Sequence, residues 1–139
     1  MAAFDPSLDL QKAIRARLLA SADLMAMIPA DNVLDVTGRP ERMPSVIIGE
    51  GQTVYRRWDA TTYTTLHVWL QEPGLVQAKA AAGLIVDAVR VDAQRDGALA
   101  LDHFTVLDMR ASDTRFLRDP HGSFSHAVIT VAAIVKERP

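Results

Sequence analysis

Asp119, Pro120, His121, Gly122 and Ser123 bring an acid, an imidazole and a hydroxyl into one short stretch, the residue types of a hydrolytic triad. Triad members converge from separate elements, and so tight a stretch does not hold the three groups in line. It reads as a turn, with Pro120 setting φ and Gly122 taking a positive one. The four histidines, His67, His103, His121 and His126, show no close ligand spacing such as His-Glu-x-x-His. His67 and His126 fall in strand-like stretches and can meet across a sheet, but no third ligand is evident. Carboxylate pairs such as Asp108 and Asp113 are ordinary in a chain with 17 acidic residues. No catalytic set emerges, and neither a metal nor a cofactor is expected.

Gly49-Glu50-Gly51 raises a different chemistry, because paired glycines let backbone amides approach a phosphate. The motif lacks the third glycine of a dinucleotide fingerprint and the Gly-Lys-Ser/Thr ending of a P-loop, no helix follows it, and Glu50 repels phosphate. A strand bend or bulge is the better reading. Just beyond it, Tyr55, Arg56, Arg57 and Trp58 mix guanidinium and aromatic groups. That mixture can stack on bases and bind phosphates, which would make a small nucleic-acid-binding module, and protein interfaces favour it too. The net charge of -2 and the lack of a second basic cluster of that density favour protein contact over nucleic acid. A solvated hairpin tip remains the plain alternative.

The elements that must position these residues belong to one domain. At 139 residues, 49% of them hydrophobic, the chain has material for a real core. It has no cysteine, which removes disulfides, thiolate metal sites and cysteine nucleophiles, so stability must come from packing or partner subunits. The N-terminus reads as no export signal, and the apolar run 127–135 is half the length of a spanning helix and rich in β-branched residues, so no membrane is expected.

Pro6-Ser7 opens a helix in which Leu10, Ile14 and Leu18 recur every four residues, with Ser7 as the N-cap. A short helical piece from Ala22 to Ile28 ends at Pro29. Val33, Leu34 and Val36 suggest a short strand, and a β-branched run from Ser45 to Ile48 resumes after the glycines through Val54 and Tyr55. From Thr62 to Gln71 apolar Leu66, Val68 and Leu70 alternate with Tyr63, Thr65, His67 and Trp69. A second helix is expected from Leu75 to about Val91, with Val76, Ala80, Leu84, Ala88 and Val91 as its apolar stripe, flanked by Ala81, Ile85 and Val89, and with the alanines and Gly83 letting it sit close to a sheet. A polar turn over 94–98 leads to a strand from Phe104 to about Ser112, extendable to Phe116 and Leu117, and Ser123 to Lys136 closes the chain as a strand. Helices do not alternate regularly with strands, so the expected fold is α+β, a single mainly antiparallel sheet with two helices packed on one face. Tyr63 and Trp69 then lie on the other face, where exposed aromatics suggest contact.

The segments DLQKAIRARLLASADLMAMI, PSVIIGE, Thr64 to Trp69, PGLVQAKAAAGLIVDAV and SFSHAVITVAAIV, in that order, resemble the tail-completion or tail-terminator proteins of long-tailed bacteriophages and gene transfer agents. The resemblance spans nearly the whole chain and carries no catalytic signature. It implies a structural virion protein, usually a homohexameric ring, assembled in the host cytoplasm. Such a ring sits at the head-tail junction, caps the tail tube, stops its polymerisation, docks to the head connector or stopper protein and leaves a channel for DNA. The family supplies no site map for these residues. Tyr55, Arg56, Arg57, Trp58, Tyr63, Trp69, Arg115, Phe116 and Arg118 are candidate protein contacts on exposure arguments alone.

Overall fold

The computed structural model describes residues 4–35, 40, 42–118 and 122–139. Four helices and one mixed sheet share a single hydrophobic cluster. The helices are α1 (Pro6–Leu19), α2 (Ala22–Met27), α3 (Val76–Ala88) and the single turn α4 (Ala93–Asp96). The strands are β1 (Val33–Leu34), β2 (Ser45–Tyr55), β3 (Ala60–Leu70), β4 (Val91–Asp92), β5 (Leu99–Ala100), β6 (Phe104–Arg118) and β7 (Ser125–Glu137). Their order across the sheet is β1-β2-β3-β7-β6-β4, with β5 also on β6. Only β1 and β2 run parallel; the other pairs are antiparallel.

Alternation dictates which side of the sheet is covered. Leu66, Val68 and Leu70 of β3 join Val46, Ile48, Ile129 and Val131 in the cluster, and Leu10, Ile14 and Leu18 of α1 pack there at 1% exposure or less. Arg17 locks α1 to α3, donating from Nε to the Ala88 carbonyl at 2.8 Å and from Nη2 to the Arg90 carbonyl at 2.9 Å. Asp9 is buried and accepts from the His103 backbone amide at 2.8 Å, tying α1 to the start of β6.

Several sequence expectations are corrected. The N-cap of α1 is Asp5, not Ser7, because Pro6 occupies the first helical position and Asp5 accepts from the Ser7 amide at 2.9 Å. In α3 the buried residues are Ala78, Ala81, Ala82 and Ile85, with Val89 just beyond; Val76 is 77% exposed and Ala80 is exposed. Packing on β3 and β7 centres on the expected flank, Ala81, Ile85 and Val89, and not on the stripe through Val76 and Ala80. Gly83 faces open space, so the alanines alone give close approach. The helix ends at Ala88, Val91 belongs to β4, and the polar stretch after it begins with the one-turn helix α4. α3 has no side-chain cap from its own N-cap Leu75. Glu72 serves instead, accepting from the Gln77 and Ala78 amides at 3.0 and 3.2 Å. β2 runs unbroken through both glycines, and β6 takes in Phe116 and Leu117. Val36, part of the expected first strand, lies outside the described residues.

Candidate contact surface

The glycines answer to the neighbouring strand, with no ligand required. Pairing between β2 and β3 slips between Ile48 and Gly51, so Gly49 and Glu50 together face Thr65. A Cβ on Gly51 would stand 2.3 Å from the Tyr63 carbonyl oxygen, and one on Gly49 would stand 3.0 Å from the His67 ring. The bulge turns Glu50 toward β3, where its carboxylate lies 2.9 Å from His67 Nε2.

From there a chain of polar contacts crosses three strands on the face away from the helices. His67 Nδ1 lies 2.9 Å from His126 Nε2, and the His126 ring stacks on Trp69 with centroids 3.9 Å apart. A carboxylate only accepts, so His67 Nε2 donates to Glu50, while the direction of the His67–His126 contact follows from the tautomers of the two rings. Glu50 is held below the usual carboxylate range by its own backbone hydrogen bond and by the His67 ring. His126 is lowered to about 4, chiefly by burial and then by the nearby charges of His67 and Arg115, against the pull of Glu50. The histidine meeting expected from the strands is present, but among the described residues no group of three or more His, Cys, Asp or Glu side chains could hold a metal. Trp69 is half-buried in this chain of contacts, and Tyr63, opposite Gln52, is half-buried on the same face.

Residues 55–59 form the β2–β3 hairpin tip, closed by the Arg56 amide donating to the Asp59 carbonyl at 2.8 Å. Tyr55 is 68% and Trp58 75% exposed, and the Arg57 guanidinium lies 4.9 Å from the Trp58 ring centroid. Behind the tip a cavity of about 320 Å³ runs to Phe104 and Val135. Arg115, Phe116 and Arg118 lie at the other end of the sheet, opposite Val128, Ala127 and Ser125. Arg115 and Arg118 are exposed, whereas Phe116 turns toward the helices, half-buried, with the Lys79 ammonium 5.7 Å from its ring. The two clusters are separated by the run of β7 from Ser125 to Val135, roughly 33 Å at the usual strand rise. Of the Asp119-to-Ser123 stretch, Asp119, Pro120 and His121 lie outside the described residues, and Gly122 has φ of 80°.

This sheet, with exposed aromatic and arginine side chains at the hairpin tip and exposed arginines at the other end, is similar to known proteins. The family model for tail completion protein gp17 matches residues 12–136. The chain belongs to this family. Among solved structures, a chain in the virion of a native gene transfer agent (GTA) particle is similar in fold, with TM-score 0.75 at 22% identity over 91% of this chain and 94% of that one. No curated protein matches. Membership of a tail completion family supports a structural role within a phage-type tail. Among the described residues no helix is long and apolar enough to cross a membrane.

Sequence reasoning placed His67 and His126 where they can meet across the sheet but missed Glu50, which only the bulge and the cross-strand register bring to His67.

Proposed function

We propose that this chain forms a ring, a homohexamer, at the head-proximal end of a phage-type tail tube, where it stops tube polymerisation and joins the tail to the head connector or stopper protein. Membership of the tail completion family over residues 12–136 carries the reading. DNA passes through the ring channel without sequence-specific binding, and the protein resides in the virion at the head-tail junction after assembly in the host cytoplasm. A piece that meets two different partners needs two contact regions far apart on a rigid frame. The tip from Tyr55 to Trp58 and the end bearing Arg115 and Arg118 answer that need, with the half-exposed Tyr63 and Trp69 on the face between them. Phe116 contributes through its exposed edge.

The test is assembly with the chain omitted. Tails made without it are expected to be heterogeneous in length and to remain unattached to heads, and adding back the purified chain restores uniform, head-bound tails. Uniform head-bound tails in its absence would refute the proposal.

A further inference from the structure

α1 and α3 pack on the face of the sheet that carries Leu66, Val68 and Ile129, and Ile47 and Val128, on the other face, lie outside that hydrophobic cluster. On this second face the central strands carry a strip without charge. Thr61, Tyr63 and Thr65 of β3 stand opposite Ile134, Ala132 and Thr130 of β7, and all but the buried Thr61 are half-buried. Charges flank the strip, with Glu50 on the β2 side, Arg110, Asp113 and Arg115 on β6, and Lys136 at the hairpin-tip end. An uncharged centre with a charged rim marks a protein contact, whereas a face left in water mixes charges throughout. α3 carries a counterpart on its solvent side. Val76, Ala80, Gly83 and Asp87 follow one another at helical spacing and are exposed, Val76 to 77%, and a Cβ on Gly83 would meet nothing within 4 Å. The stripe is uncharged up to Asp87. It runs roughly 17 Å, against roughly 20 Å for the strip from Val128 to Ile134.

We infer that α3 of one copy of this chain packs on the outer face of β3 and β7 of a second copy, helix layer against sheet face around the ring. This rests on the ring reading above and supplies its subunit contact. The two surfaces lie on opposite sides of one molecule and differ from each other. Their contact is therefore heterologous, the kind that a rotation closes into a ring. It also buries the apolar stripe of α3 that the sequence marks most strongly and the single chain leaves in water.

If the two ends of the sheet meet partners above and below, the ring axis runs along the strands and neighbouring copies stand at one level. Heights along α3 are fixed at two points. Lys79 lies over the Phe116 ring, in the row of Ala127, and Val91, just past the helix, pairs with Met109, in the row of Ala133. Gly83, roughly a third of the way between them, comes level with Ile129, between the outward-facing Val128 and Thr130. Asp87, roughly two-thirds of the way, comes level with Val131, between Thr130 and Ala132. Asp113 lies in the row of Thr130 and Arg110 in the row of Ala132. Arg110 is the group that answers Asp87: its side chain is 73% exposed, it meets Asp108 only at 3.8 Å, and its length lets it turn to a carboxylate on the neighbour. The one charge on the stripe thus arrives beside a cation on the rim, and Val76, Ala80 and Gly83 arrive on uncharged strand surface.

The chain has no cysteine, so introduced thiols report this contact alone. Chains carrying Gly83→Cys and chains carrying Thr130→Cys, both at positions facing away from the core, are mixed in equal amounts, assembled into tails and treated with a short bis-maleimide. The expected product is a covalent pair of one chain of each kind, formed in the mixture and absent when either variant is assembled alone. Tails that contain both variants but give no such pair, give links only between like positions, or link residue 130 only to a different tail protein overturn the helix-to-sheet contact and leave the ring reading standing. Absence of the unaltered chain from tails overturns both.

Discussion

Gly51 and His126 show how single residues set the outer face. Gly51 has no room for a methyl group because the Tyr63 carbonyl lies against it. Gly51→Ala is therefore expected to destabilise the chain by about 1–3 kcal/mol, read as a lower midpoint in urea. An unchanged midpoint would mean that β3 does not approach so closely. His126 makes a pH prediction. Burial lowers its pKa from the ordinary 6.5 to about 4 in the folded chain. Between those values the unfolded chain binds the proton and the folded chain does not. The stability associated with neutral His126 is thus present above pH 6.5 and is lost as the pH falls toward 4. The melting temperature is expected to fall across that window, and more gently in His126→Gln, whatever that substitution does to stability at pH 8. Equal slopes in the two proteins would contradict the buried, neutral state of this ring.

At the scale of elements, α1 and α3 are held to one another by a guanidinium as well as by apolar contact. Arg17 meets the carbonyls of Ala88 and Arg90, at and just past the C-terminal end of α3, where the helix dipole favours a cation. Arg17→Ala is expected to lower stability by about 1–2 kcal/mol in urea unfolding, and Arg17→Lys to restore only part of it, since one ammonium does not reproduce the two-pronged contact. A fully stable alanine variant would show that the fork is incidental. Which elements exist was legible wherever apolar spacing was unambiguous. Leu10, Ile14 and Leu18 announced α1, and the alternation of Leu66, Val68 and Leu70 announced β3 and its covered face. Where the sequence offered two equivalent patterns it was silent. In α3 the stripe through Val76 and Ala80 was as apolar as its flank of Ala81, Ile85 and Val89, and only the packing partner shows the flank to be the buried centre. Long-range caps were illegible for a related reason. Nothing local to Glu72 or Asp9 says that one serves amides of the next helix and the other an amide at His103, a link the fold alone creates. The candidate surface was legible at the hairpin tip, whose arginine and aromatic residues are consecutive. The meeting of His67 and His126 was legible from their strands, whereas the addition of Glu50 was not, because a bulge brings it to His67.

The described residues form one mixed sheet with helices packed against it, and the candidate contact residues lie at its two ends. The proposed ring uses those ends for different partners above and below. A structural part of a phage-type tail asks for no catalytic constellation, and the geometry suits a part whose work is to be held in place. The central claim is the ring at the head-proximal end of the tail. Electron microscopy of isolated tails, with this chain marked by a bound antibody fragment, tests it most directly. The account predicts one closed ring of six copies at the head-proximal end and none along the tube. Label distributed along the tube, or found only at the distal tip, would contradict it.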